Sequence, residues 1–277
     1  MIAPSRSRFV RSVFVSDVHL GSKHAQAEAF LSFLNDYDSD YVYLVGDFID
    51  GWRLRRAWHW APVYNQIIGR LLEVSRRGGR VFYTPGNHDA FLRDFASDWQ
   101  PIAIADEFVH ETADGRRFLV THGDLFDTVE ICARWLSVVG AVAYNALLSL
   151  NRMANLLRSP RPSRAYAFSS RVKQSVKRVV RHVRHFEERL QERARAVNCD
   201  GIICGHIHTP ALRKRDGITY CNTGDWVENC TALVEHPNGP LELLEPLLDK
   251  GTFLAAPEPR RAVVRSAPAG CSNVAAW

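Results

Sequence analysis

The sequence is poor in the features that define several large protein classes. Its six cysteines, at 132, 199, 204, 221, 230 and 271, form no C-x-x-C pair and no metal-finger spacing. That excludes a thiolate metal knuckle and argues against a disulfide framework; dispersed thiols fit a reducing compartment, as small buried hydrophobes. No apolar run reaches the ~20 residues that a bilayer-spanning helix needs. The run from Trp135 to Leu150 spans 16. The first ten residues hold two arginines but no long apolar stretch and no cleavage-type site, so no secretory signal is expected. There is no internal repeat, and 46% hydrophobic with 23% charged residues is neither a disordered nor a fibrous composition.

What is present begins with an uneven charge. The net charge is +5, yet Arg152 to Arg195 contain thirteen Lys/Arg against three Glu, a local +10 that leaves −5 for the rest. A neutral-to-acidic body with one cationic limb places that limb against an anionic partner or in solvent.

Residues 12–19 start as a buried β-type run and end in polar ligand types. A helical stretch with Phe30, Phe33 and Leu34 follows, then a second apolar run into Gly46-Asp47, a helix near 62–76, and a strand at 80–84 entering Pro85-Gly86-Asn87-His88-Asp89. Near-continuous apolar strands alternating with helices indicate an α/β sheet covered on both faces. The pattern then changes to a hairpin at 107–112 and 116–121, and to strands near 201–204, 217–221, 230–235 and 241–245 with short turns. Between the βαβ half and the β-rich half lies a helical insertion, 125–197. Its second part carries Phe168, Val172, Val176, Val179, Val183, Phe186, Leu190 and Val197 at steps of three and four, an amphipathic helix with Arg and Lys on its other faces. The main domain is expected over 1–250, interrupted by this insertion, with a loose Ala/Pro/Arg-rich tail at 251–277.

Five polar motifs each follow a strand: Asp17-x-His19, Gly46-Asp47, Gly86-Asn87-His88-Asp89, Thr121-His122-Gly123-Asp124 and Gly205-His206-Ile207-His208. Residues two apart in an extended segment leave the same face, so Asp17 with His19, and His206 with His208, are expected to act in pairs. The neighbouring glycines permit tight turns. Carboxylate, amide oxygen and imidazole make a hard-to-borderline donor set suited to Mn²⁺, Fe or Zn²⁺. Two such cations held by a bridging carboxylate activate water for in-line phosphoryl displacement. A lone D-x-H or Gly-Asp occurs often without function; five motifs in this order, each after a strand, do not.

These motifs resemble those of the calcineurin-like metallophosphoesterase superfamily over about 12–236. The resemblance implies an α/β (α+β) four-layer sandwich of two mixed β-sheets flanked by helices. It implies that Asp17, His19 and His208 hold one divalent ion, that Asn87, His122 and His206 hold the other, and that Asp47 bridges them. His88 would protonate the leaving oxygen, oriented by Asp50. Within the superfamily the chain resembles the bacterial UDP-2,3-diacylglucosamine pyrophosphohydrolases of lipid A synthesis, whose helical insertion receives acyl chains. It departs from their best-characterised members, which carry arginine where this chain has His88. The resemblance implies a nucleotide- or lipid-linked phosphoester substrate, two Mn²⁺-like ions, and a cytoplasmic protein on the inner face of the membrane, its basic insertion against anionic lipid. The residues also leave open a helical hairpin that forms a homodimer, a nuclease, and a non-catalytic scaffold that binds protein.

Overall fold

The computed structural model describes residues 7–95, 101–127 and 183–246. Most of the insertion, including the Trp135–Leu150 run, and the 251–277 tail lie outside them. Among the described residues eleven strands form two sheets. The first has the order β11-β10-β1-β2-β3-β4, with β1 Arg8–Val15, β2 Tyr37–Val45, β3 Arg80–Thr84, β4 Ile102–Ile104, β10 Ala232–Glu235 and β11 Leu241–Leu244. The second has the order β5-β6-β7-β9-β8, with β5 Phe108–Glu111, β6 Arg117–Val120, β7 Gly201–Cys204, β8 Ala211–Arg215 and β9 Ile218–Asn222. Both are mixed: β1 to β4 run parallel, β10 is antiparallel to β1, and β6, β7 and β9 are parallel between antiparallel edges.

The alternation of side chains along each strand sorts residues into layers. In β1, Val13 and Val15 join one buried cluster while Phe14 joins another; in β2, Val42 and Leu44 part in the same way from Tyr43 and Val45. The first cluster is closed by α1 (Ala27–Asp36) and α3 (Pro62–Arg76), through Phe30, Phe33, Ile67 and Leu71. The second lies between the sheets, where Phe14, Tyr43 and Phe82 stack in a row with centroids 4.7 and 4.6 Å apart and meet Phe118, Val120 and Ile203 of the other sheet. Helix 183–196 covers the far face of the second sheet, burying Phe186 and Leu190 against Ile202 and Tyr220. Two sheets between helices, buried on both faces, explain strands that are apolar almost throughout.

The described end of the amphipathic stripe, Val183 to Val197, is therefore a packing element on the second sheet. The two sheets do not follow the two halves of the sequence either. The C-terminal hairpin β10–β11 returns to flank β1, because β10 buries Ala232 and Val234 in the core of the first sheet. Among the strands and α-helices, three were not expected from the sequence: α2 (Gly51–Arg56), β4 and β8.

Candidate metal centre

All five motifs lie at the C-terminal ends of strands: Asp17 and His19 after β1, Asp47 after β2, Asn87 and His88 after β3, His122 after β6, and His206 and His208 after β7. The loops are laced together by backbone bonds, from Asp17 N–H to the Gly46 carbonyl (3.0 Å) and from His19 N–H to the Asp47 carbonyl (2.9 Å). Trp226 N–H, donating to the Asp17 carbonyl at 3.0 Å, brings in the segment after β9.

The pairs Asp17/His19 and His206/His208 do not converge by the two-residue period of a strand. β1 ends at Val15 and β7 at Cys204, so both pairs lie past their strands. Their backbones are left-handed, with φ 54° at Asp17 and His19, 69° at His206 and 50° at His208; Asp47 is at 51°. Such conformations are costly for residues with a Cβ and cluster where the surroundings over-determine them for function. Space is equally tight. A Cβ on Gly86 would fall 2.3 Å from Asp47 Oδ1, and one on Gly205 would fall 2.5 Å from Asp17 Oδ2.

Three sets of side chains bring one ligand atom each to within 4.8 Å of one another: Asp17, His19 and His208; His19, Asp47 and His88; Asp17, Asp47 and His122. The first is one of the two expected sets. Asp47 lies in both of the others, its Oδ2 3.5 Å from His122 Nε2 and 4.0 Å from His88 Nε2. Asp17 Oδ1 is 3.1 Å from His208 Nε2 and 3.9 Å from His19 Nε2.

Three of the imidazoles are turned by a partner on the outer nitrogen. His122 Nδ1 donates to the Val45 carbonyl at 2.9 Å, so Nε2 is the inward atom. His206 Nε2 donates to Asp127 Oδ2 at 2.9 Å, leaving Nδ1 as its available ligand atom. His88 Nδ1 donates to Asp50 Oδ1 at 3.0 Å, so its Nε2 faces Asp47. Such outer bonds are what orient metal-binding and proton-transferring histidines.

The site also passes a test for fit to cations. Asn87 Oδ1 and His122 Nε2 are buried without a hydrogen-bond partner, an arrangement that is costly unless something else satisfies it. Burial alone would raise the carboxyl of Asp17, but the charge of His208 and the neighbouring imidazoles hold it well below the usual range. Asp47, likewise buried, is brought to about 2, chiefly by His122. Burial disfavours charge on His208, yet Asp17 pushes it up to about 9, and Asp47 raises His122 strongly against the same burial. The pocket thus holds negative charge that draws positive charge inward, which protons or divalent cations supply.

Sequence reasoning assigned no role to three residues. Asp127 orients His206. Asp225 is buried, accepts the N–H groups of Val227 and Glu228 at 2.7 and 2.6 Å, and lies 3.9 Å from His208 Nδ1. Asp89 accepts Gly86 N–H at 2.6 Å, Phe48 N–H at 2.8 Å and the Tyr83 hydroxyl, tying the loops after β2 and β3 together. None carries a periodic signal. Asp89 is the last residue of the Gly86-Asn87-His88-Asp89 motif, whereas Asp225 belongs to none of the five motifs.

Residues 10–210 match the family model of the calcineurin-like phosphoesterases, and the chain belongs to that family. It is accordingly a phosphoester hydrolase of a family that works with divalent metal ions. Over 233 residues it is 24% identical to a UDP-2,3-diacylglucosamine hydrolase of Neisseria gonorrhoeae, covering 78% of this chain and 89% of that one. A protein of the same name from Aeromonas salmonicida is 26% identical over 238 residues, covering 82% and 90%. Among solved structures, an archaeal phosphodiesterase aligns with 84% of this chain and 98% of its own, at a TM-score of 0.40 and 15% identity.

Proposed function

We propose that this chain is a dinuclear-metal hydrolase of diphosphate bonds, acting on UDP-2,3-diacylglucosamine or a close nucleotide–lipid diphosphate to give UMP and 2,3-diacylglucosamine 1-phosphate. Asp17, His19 and His208 would hold one ion, Asn87, His122 and His206 would hold the other, and Asp47 would be shared by both. The observation that carries this is the gathering of ligand atoms of Asp17, Asp47 and His122 within 4.8 Å of one another, with His122 Nε2 buried and without a hydrogen-bond partner, in a chain that aligns with most of the length of the named hydrolases.

When bound, the ions would supply Lewis acidity at the phosphoryl oxygens and an acidified water, and Mn²⁺, Fe and Zn²⁺ all suit the mixed donors. The chain's own residues do the rest. Asp50 holds the Nδ1–H of His88, so the proton for the leaving oxygen is the second one, carried on Nε2 of the imidazolium. Burial opposes charge on His88, but the bond to Asp50, with Asp47 and Asp17, raises its affinity for that proton. Among the described residues no helix is long and apolar enough to cross a membrane. A lipid-linked substrate calls for contact with the bilayer surface, and the net positive charge of 152–195 suits anionic lipid at the cytoplasmic face.

The test is a hydrolysis screen of the purified chain with Mn²⁺. UDP-2,3-diacylglucosamine, UDP-N-acetylglucosamine, a cyclic nucleotide and bis(p-nitrophenyl) phosphate would be compared, alongside metal analysis. Preference for the acylated diphosphate and two metals per chain are expected. Turnover of only the other substrates would move the chain to another phosphodiester, and no metal with no turnover would leave a binding scaffold.

A further inference from the structure

α2 itself supplies no candidate ligand to the metal centre, yet it leans on His88. Asp50 caps α2 by accepting Arg53 N–H at 3.0 Å while also holding His88 Nδ1. Gly51 N–H donates to the His88 carbonyl at 3.1 Å, and a Cβ on Gly51 would fall 2.7 Å from that oxygen. α2 is thus anchored to the catalytic histidine by side chain and backbone together. The next residue, Trp52, lays its ring against the His88 ring, with centroids 4.0 Å apart and planes 30° apart, and is 51% exposed. On its inner side His88 meets His19 edge-on at 4.6 Å.

Positions i, i+3 and i+4 of a helix share a face, so Trp52, Arg55 and Arg56 line up on α2. All three are exposed. Arg53 is drawn away to Asp50 at 3.2 Å, whereas Arg55 and Arg56 have no ion pair among the described residues. Leu54 faces inward against Gly21. Beside the proton donor there is accordingly an outward face of one flat indole and two uncommitted guanidinium groups. An exposed aromatic ring beside unpaired arginines recognises a group that is both anionic and ring-bearing, by stacking and by bidentate bonds to phosphate.

We propose that the Trp52–Arg55–Arg56 face of α2 is a binding subsite for the leaving half of the substrate, a phosphomonoester attached to a sugar or base ring. This rests on the hydrolase reading above and deepens it. His88 protonates the oxygen that leaves, so the leaving group emerges beside the ring stacked on His88. In a diphosphate the leaving group carries its own phosphate, which the two arginines neutralise. A simple aryl diester has none to offer them. The face therefore selects diphosphates over diesters.

The experiment uses the full chain with Mn²⁺ and measures kcat/KM for UDP-2,3-diacylglucosamine and for bis(p-nitrophenyl) phosphate. The parent is compared with Arg55→Ala/Arg56→Ala, Arg55→Lys/Arg56→Lys and Trp52→Phe, each checked for folding by circular dichroism and for metal content. The expected result is a fall in the diphosphate-to-diester ratio of about tenfold for each arginine lost, with partial recovery in the lysine variant. Trp52→Phe should keep most of the ratio. A ratio within twofold of the parent in the double alanine variant would overturn the subsite. So would an unchanged ratio with weaker co-sedimentation on phosphatidylserine vesicles, which would make the face a membrane contact. If the parent cleaves neither compound, the hydrolase reading itself fails. If it cleaves only the diester, the metal centre stands and the subsite falls.

Discussion

Glu235 offers a test of the fold that leaves the metal centre alone. It is fully buried and joins both sheets: its carboxylate accepts Ser12 Oγ (2.6 Å) and Arg11 Nη1 (2.6 Å) from β1, His110 Nε2 (2.8 Å) from β5, and Ala113 N–H (2.7 Å) from the turn after it. His110 in turn accepts the Tyr43 hydroxyl on Nδ1 at 3.0 Å. Burial would raise this carboxyl, but His110, Ser12, Ala113 and Arg11 outweigh it and bring it from 4.5 to about 2. At ~1.4 kcal/mol for each tenfold change in acid dissociation, that is about 3 kcal/mol. Arg11, 24% exposed, is partly screened by solvent, which trims the expectation to about 2 kcal/mol. Because the folded value lies below the unfolded one, this stability is complete above ~4.5 and is lost as pH falls towards ~2. Glu235→Gln keeps the shape and removes the charge. Urea unfolding should show the variant less stable by about 2 kcal/mol at pH 7, with the gap narrowing as pH is lowered below ~4.5. Equal stability at pH 7, or a gap indifferent to pH between 6 and 3, would refute the reasoning.

Three further outcomes are expected at the site. Asp47→Ala should lose at least one metal and nearly all turnover; two metals and full activity by metal analysis and kinetics would end the two-metal reading. His88→Ala should keep its metals while kcat falls about 10²- to 10⁴-fold, and metal loss matching the activity loss would show His88 to be a ligand instead. Gly205→Ala would place a Cβ 2.4 Å from Ser16 Oγ and 2.5 Å from Asp17 Oδ2. Displacement of Asp17 should weaken Mn²⁺ binding by about 10- to 100-fold in calorimetric titration, and unchanged affinity would mean the loop yields without moving its carboxylate.

The sequence by itself determined the chemistry. The five motifs could be read because each is a cluster of donor residues directly after an apolar strand, and strand ends are where such folds gather their sites. It also delimited α3 at 62–76 and β3 at 80–84, where helical periodicity and Gly78-Gly79 are unambiguous. Short or polar elements escaped. α2 has six residues, too few to show a period, and β8, Ala-Leu-Arg-Lys-Arg, is an edge strand whose charge hides it. Only the tertiary structure decided the left-handed turns at Asp17, His19, His206 and His208, the return of β10 to β1, and the partnerships of Asp127 with His206 and of Trp52 with His88. Local sequence cannot specify these. A left-handed aspartate or histidine is unfavourable on its own and persists only where packing and hydrogen bonds from distant strands leave it no alternative.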